Sequence, residues 1–484
     1  MNEALLREVF ADADDVAVKA SRLGGAEDGL EVVMVYCTGM VDHKQINGSI
    51  YPQLDTIRDK LTGTDPKRLA QELESVLEVR AVADLTDIEE LASSVFSGDL
   101  LLLFPGVQLL YAVNIANTPQ RKPEESSTEI SIKGPRDAFT EDAAINAALI
   151  RKRLKDLSLV NEKLVLGRRS RSAVHLLYVK DITNPAFIEE ARKRLNKLDV
   201  DGVTSISQLE ETLSDSPHAL FPLIDYVGRP DHAVDSLLNG RFVVLLEGSP
   251  MVLIGPGNLL FQLKSPEDAH LPFYYVALER LLRLAGLLLA IYLPGLYVAV
   301  SAFQLDQIPF PLLATITSSR LGLPLSGSID FFLMLALFEV FREAGVRLPK
   351  AVGQTVAVVG GLIIGDAAIR AGITSPSTLV VVGISTVATF TLVNQTLVGS
   401  VTVIRIAVLA MSAVFGIYGL ILSALGLLLY LATLTSFGVP YLSPISPFSG
   451  QALLRGLQVF PWRRQRKRSS FLKPRDPTQK GRGQ

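Results

Sequence analysis

Between Leu281 and Leu434 the chain is apolar with few interruptions, while roughly the first 270 residues and the basic C-terminal stretch hold most of its charge. Segments this apolar enter a bilayer as helices, because in hydrocarbon a backbone must satisfy its own hydrogen bonds. The expected fold class is therefore an α/β (or α+β) soluble N-terminal half of two subdomains, followed by an all-α transmembrane bundle. Whole-chain averages conceal the split: a mean hydropathy of +0.32 coexists with 20% charged residues. A net charge of -2 over 484 residues argues neither for nor against nucleic acid, since its parts differ so much. The N-terminal MNEALLREVFADADD lacks the basic and apolar regions of a secretory signal, so export of the soluble half is not expected.

Within the soluble half, residues 1–117 are read as an α/β subdomain, 118–134 as a linker, and 135–270 as a second α/β subdomain. Glu31–Cys37 is Val-rich and reads as a buried strand, with Cys37 a small buried hydrophobe. Ile50–Leu61 and Pro66–Val76 have helical spacing, the latter opening on Asp65-Pro66 as cap and first residue. Pro105-Gly106 and Gly248-Ser249-Pro250 each separate two apolar runs and predict hairpins. Thr140 is expected to cap a helix that ends in Arg151, Lys152 and Arg153, cations suited to its C-terminal dipole. Strands are expected at Lys163–Leu166 and Ala173–Val179, and a helix at Pro185–Leu195. No fixed-period repeat is visible.

Residues 271–440 are expected to form the transmembrane domain and 441–484 a cytoplasmic basic tail. About 20 apolar residues make a span. Leu281–Phe303, Val352–Ile373, Pro376–Val398 and Ile404–Leu434 qualify, the last long enough to tilt or project. Ser328–Phe341 is short and reads as a re-entrant or interfacial helix. The cluster Trp462–Arg468 places the C-terminus on the cytoplasmic side, as a membrane-surface anchor. Four spans then put the N-terminal half on the same side.

Ionisable groups at membrane depth are costly and usually face an interior, a cavity or each other. Asp366 and Arg370 lie four apart on one helix face, as a packing pair or as part of a polar ion path. Gly361 and Gly365 have the spacing of close helix approach. With Gln354, Thr355 and Val358 these residues form the set of pore or helix-packing candidates, and close packing explains the glycines as well as a pore wall does. Glu339, Arg342 and Glu343 are read as marking a membrane edge. Enzyme chemistry is not expected. Five histidines and one cysteine form no metal-ligand spacing, and neither a phosphate loop nor a nucleophile elbow is present. The acidic run around Asp225, Asp231, His232 and Asp235 reads as a loop and helix cap. No cofactor is expected.

Four stretches carry a resemblance. GPRDAFTEDAAINAALIRKRL (134–154), GRPDHAVDSLLNGRFVVLLEGSPMVLIGP (228–256), RLPKAVGQTVAVVGGLIIGDAAIRAGITSP (347–376) and SFGVPYLSPISPF (436–448) resemble, in this order, the GerA-family spore germination proteins. These are the A subunits of nutrient germinant receptors. Two positions depart from the family pattern: Gly228, where an acidic residue is usual, and Asp366, where Gln is frequent. The resemblance implies a multi-pass protein of the endospore inner membrane, with its N-terminal half and tail on the core side. It further implies a transporter-like B subunit, a lipoprotein C subunit, a homo-oligomer among lipids, and an ion channel lined by Gly353–Ala368. A family member that amplifies germination without its own nutrient sensor, and a non-conducting membrane scaffold, stand as alternatives.

Overall fold

A computed structural model describes residues 2–23, 30–60, 66–82, 87–117, 133–347, 364–457, 461 and 467–479. The chain divides into two compact units. One comprises Met1–Pro217, Ile224–Pro256 and Gln465–Gln484; the other comprises His218–Leu223 and Gly257–Arg464.

The first unit holds two five-stranded antiparallel sheets. Strands β1 (Val16–Leu23), β2 (Leu30–Cys37), β3 (Val79–Ala81), β4 (Asp99–Phe104) and β5 (Leu109–Asn114) lie in the order β1-β2-β4-β5-β3. Strands β6 (Leu159–Leu166), β7 (Ser172–Val179), β8 (Asp225–Val227), β9 (Phe242–Leu246) and β10 (Val252–Gly255) lie in the order β6-β7-β9-β10-β8. The helices repeat as well. Helix α1 (Glu3–Val9) precedes the first set, α2 (Tyr51–Lys60) and α3 (Pro66–Val76) join β2 to β3, and α4 (Ile88–Val95) joins β3 to β4. In the second set α5 (Ala143–Arg153), α6 (Pro185–Lys197), α7 (Ile206–Leu213) and α8 (Pro230–Leu238) occupy the corresponding places. The two halves therefore share one topology, a duplication that no sequence period betrays.

Side chains alternate across each strand, and both faces of the first sheet are covered. Val32, Met34 and Tyr36 pack with Leu54, Ile57, Leu69 and Leu73 on one side. Val33, Val35 and Cys37 pack with Phe10, Leu91 and Phe96 on the other. This two-sided burial is why the strand is continuously apolar from Val32 to Cys37, while Glu31 at its start stays exposed. Both hairpins form where expected, through β4–β5 and β9–β10 pairing. One cap is shifted: Asp142, not Thr140, caps α5, its Oδ1 accepting from the amides of Ala144 and Ile145. Thr140 instead orders the preceding turn, its Oγ1 accepting from the Asp142 amide at 3.3 Å. Asp65 and most of the 118–134 linker lie outside the described residues.

Where the two halves meet, Arg151 from α5 forms a two-pronged pair with Asp15, at 2.9 and 3.0 Å. Its third nitrogen donates to the carbonyls of Leu159 and Asp156, and its guanidinium stacks 4.2 Å from the Phe96 ring. Arg151 is 1% exposed. The Cys37 thiol faces the same carboxylate, with Sγ 3.6 Å from Asp15 Oδ2. Burial pushes this thiol well above its usual range, and the Asp15 charge pushes the same way. Cys37 is thus expected to resist iodoacetamide in the folded protein and to react fully in guanidinium chloride, as peptide mass spectrometry would show.

Residues 467–479 return to the second sheet's subdomain. Arg475 donates its amide to the Ile182 carbonyl at 2.9 Å, and Arg468 Nε donates to the Leu238 carbonyl at 2.7 Å. Arg468, read from sequence as part of a membrane anchor, also pairs with Asp476 at 2.7 Å and so serves contacts within the protein. Residues 462–466 of that basic cluster lie outside the described residues.

The second unit is helical: α9 (Phe273–Phe303), α10 (Phe310–Arg320), α11 (Gly327–Arg347), α12 (Pro376–Thr389) and α13 (Gln395–Thr433). Helices α9 and α13 are long and apolar enough to cross a membrane. Pro294 lies inside α9 without ending it. The segment read as a short re-entrant or interfacial helix lies within the 21 residues of α11. Two sequence expectations need correction. The span expected at 376–398 stops at Thr389, because Asn394 caps a new helix by accepting from the Leu397 amide. The long last span is broken at Gly416, whose φ of 61° and ψ of -141° are not helical.

The two arms of α13 fold back on one another. Val403, Ala407 and Met411 of the first arm face Gly426, Leu427 and Tyr430 of the second across an apolar cleft of about 240 Å³. In a straight helix Val403 and Tyr430 would stand about 40 Å apart. The arms also present an apolar exterior that includes Ile406, Val414, Phe415, Ile421, Leu425 and Leu429.

Candidate functional site

Charges placed between apolar helices must be paired or reached by water. Besides the balanced Asp268–Arg280–Arg283–Glu279 group at the start of α9, two clusters lie among the helices of the second unit. The first joins α11 to the first arm of α13. Glu339 and Arg342, one turn apart, pair at 2.6 Å. Glu339 also pairs with Arg405, which is 0% exposed. Arg342 Nη1 donates to Thr402 Oγ1 at 3.0 Å, one turn before Arg405. Ser385 of α12 completes the group, 3.4 Å from Arg405 Nη1. Two guanidinium groups thus share one carboxylate, and the cluster carries a net positive charge.

The second cluster lies where α11 meets the start of α12. Asp330, 1% exposed, accepts from Thr378 Oγ1 at 2.9 Å. From Thr378 a chain of hydroxyls continues through Ser375 and Ser377 to Tyr297 of α9, with steps of 2.9 to 3.0 Å. At its far end the Arg320 guanidinium lies 5.7 Å from the Tyr297 ring. It occupies the space a side chain at Gly327 would need: a Cβ there would stand 2.2 Å from Nη2. Asp330 and Arg320 have opposite charges, so this cluster is neutral as a whole. Its hydrogen bonds hold α9, α11 and α12 together in a layer otherwise packed by Val298, Phe331, Leu335 and Val382.

Of the residues singled out from sequence, Gln354, Thr355, Val358 and Gly361 lie outside the described residues. Asp366 and Arg370 form the anticipated pair at 2.8 Å, on an outer face: their side chains are 57% and 80% exposed. Gly365 lies close to α12, where a Cβ would meet the Leu379 side chain at 3.1 Å. Glu339 and Arg342, read as edge markers, form one group with Arg405. Sequence reasoning passed over Arg405, Asp330 and Arg320. Their signal was present, since one charge within VTVIRIAVLA and another within ALFEVF each require a counter-charge.

The first unit offers little reactive chemistry. Arg229 is 1% exposed and pairs two-pronged with Asp231 at 2.6 and 3.1 Å, at the start of α8. Among the described residues no group of three or more His, Cys, Asp or Glu is placed to hold a metal ion.

Two helices long and apolar enough to cross a membrane, with buried ion pairs among the helices packed beside them, are the features of a membrane-associated protein. The chain belongs to the GerA family: the model described as "Bacillus/Clostridium GerA spore germination protein" matches residues 4–471. It is 38% identical to Spore germination protein XA of Bacillus anthracis, over 99% of this chain and 97% of that one. It is 32% identical to Spore germination protein KA of Bacillus subtilis, over 100% of this chain and 88% of that one. Uncharacterized membrane protein YfkQ of Bacillus subtilis is 34% identical over 90% of this chain and 84% of its own length. Among solved structures, the N-terminal domain of the A subunit of the Bacillus megaterium spore germinant receptor GerK3 is 27% identical. That comparison covers 53% of this chain and 93% of the domain, with a TM-score of 0.40.

Proposed function

We propose that this protein is the A subunit of a germinant receptor, embedded in the inner membrane of the endospore. In this reading it assembles with copies of itself into a channel that releases cations when nutrient is sensed. A transporter-like B subunit and a lipoprotein C subunit complete the receptor. The observation that carries the reading is the family match along almost the whole chain. Buried ion pairs between apolar helices support membrane embedding, since lone charges there would be prohibitive.

The pore assignment rests on the glycine-rich segment 353–368, where small residues permit close packing of several copies and Gln354 and Thr355 supply polar atoms. Liposome flux from the assembled complex is the test. Gln354→Leu and Gly361→Val are each expected to reduce cation release to near background while the complex still assembles. Wild-type complexes that carry no cations, or fluxes unchanged by both substitutions, would leave a non-conducting scaffold as the better reading.

A further inference from the structure

Among the described residues, the Glu339–Arg342–Arg405 cluster has charges that do not balance. Two guanidinium groups face one carboxylate, and the neighbouring Ser385 and Thr402 are neutral. Arg405 is 0% exposed, and its Nε is buried with no hydrogen-bond partner among the described residues. An unbalanced positive charge at such a place calls for an anion. Access is through Arg342, whose side chain is 27% exposed. It stands five residues before the end of α11, about 8 Å along the axis, so its long side chain can extend toward that end of the helix.

We infer that this cluster binds the phosphate of an anionic lipid headgroup, with Arg342 as its accessible contact. A phosphodiester bears one negative charge, which matches the surplus. Its oxygens also suit the planar donors of a guanidinium. The apolar outer face of α13, with Ile406 exposed one position beyond Arg405, makes lipid the molecule at hand. The inference rests on the membrane reading but not on conduction, so it is tested without a flux measurement.

The full chain, purified in neutral detergent, is offered phosphatidylglycerol or phosphatidylcholine, and retained lipid is counted by native mass spectrometry. Phosphatidylglycerol is expected to be retained in preference. Arg342→Gln is expected to lower that retention about fivefold, the effect of one basic residue at an anionic surface, and Arg342→Lys to lower it less. Melting is followed in parallel. Arg342→Gln leaves a neutral Glu339–Arg405 pair, so stability without added lipid is maintained while the rise caused by phosphatidylglycerol disappears. Equal retention of the two lipids, or unchanged retention in Arg342→Gln, overturns the inference. A loss of stability in Arg342→Gln that is the same in both lipids does so too, marking a purely structural arginine. If inorganic phosphate alone reproduces the rise, the site takes a free anion and the lipid assignment fails.

Discussion

Replacing Arg151 with methionine is expected to destabilise the α/β unit by about 3–5 kcal/mol, because Asp15 would remain buried without its counter-charge. The pair is 2.9 Å apart at the junction of the two sheets, and Arg151 also donates to the carbonyls of Leu159 and Asp156. Its loss strands an anion and two acceptors together, and stacking on Phe96 is lost as well. For a unit of this size the melting temperature should fall on the order of 10 °C. Pairing Arg151→Met with Asp15→Leu should recover much of the loss, since apolar replacement of a whole buried pair is often near neutral. Differential scanning calorimetry of the four proteins in this cycle measures the coupling. Single substitutions that cost less than about 1 kcal/mol would show that the pair is as weak as a surface contact.

The second large effect concerns the turn within α13. Gly416 adopts φ 61° and ψ -141°, a region that costs side-chain-bearing residues about 1–3 kcal/mol. A Cβ there would also meet the Phe303 side chain at 3.0 Å. Gly419 is more restrictive: a Cβ would stand 2.1 Å from the backbone oxygen of Met411, an atom that cannot swing aside. Gly419→Val is therefore expected to force the arms apart. Spin labels at the exposed positions Ile406 and Leu428, in a Cys37→Ala background, report the change. Their separation should be short in the parent and move toward the ~33 Å of a continuous helix in the variant. A distance distribution unmoved by Gly419→Val would mean the arms do not meet at Met411.

Much of the α/β architecture was legible because apolar strands, turn dipeptides and caps are local signals. Pro66–Val76 matched the structure to the residue, and the Pro105-Gly106 hairpin formed. Strand β1 was missed: Lys19, Ser21 and Arg22 interrupt its apolar residues, as befits a strand at the end of the sheet order. The duplication was hidden because topology is held by which positions are apolar, not by which residues fill them. In the helical unit, hydropathy located the apolar mass but not its breaks. Asn394 is one polar residue within an apolar window, yet it caps a new helix, and nothing local in the sequence sets Gly416 apart from the glycines around it. The polar clusters were missed for a related reason. Averaging over a window dilutes Arg405, whereas its physical cost is local and demands Glu339 from a helix 66 positions earlier.

Residues 467–479 dock beside Ile182 and Leu238, so the unit that begins with α1 also takes its last described stretch of chain from beyond the helical unit. That α/β unit is therefore complete only after every residue of the helical unit has been synthesised, and its final contacts are among the last the chain can make.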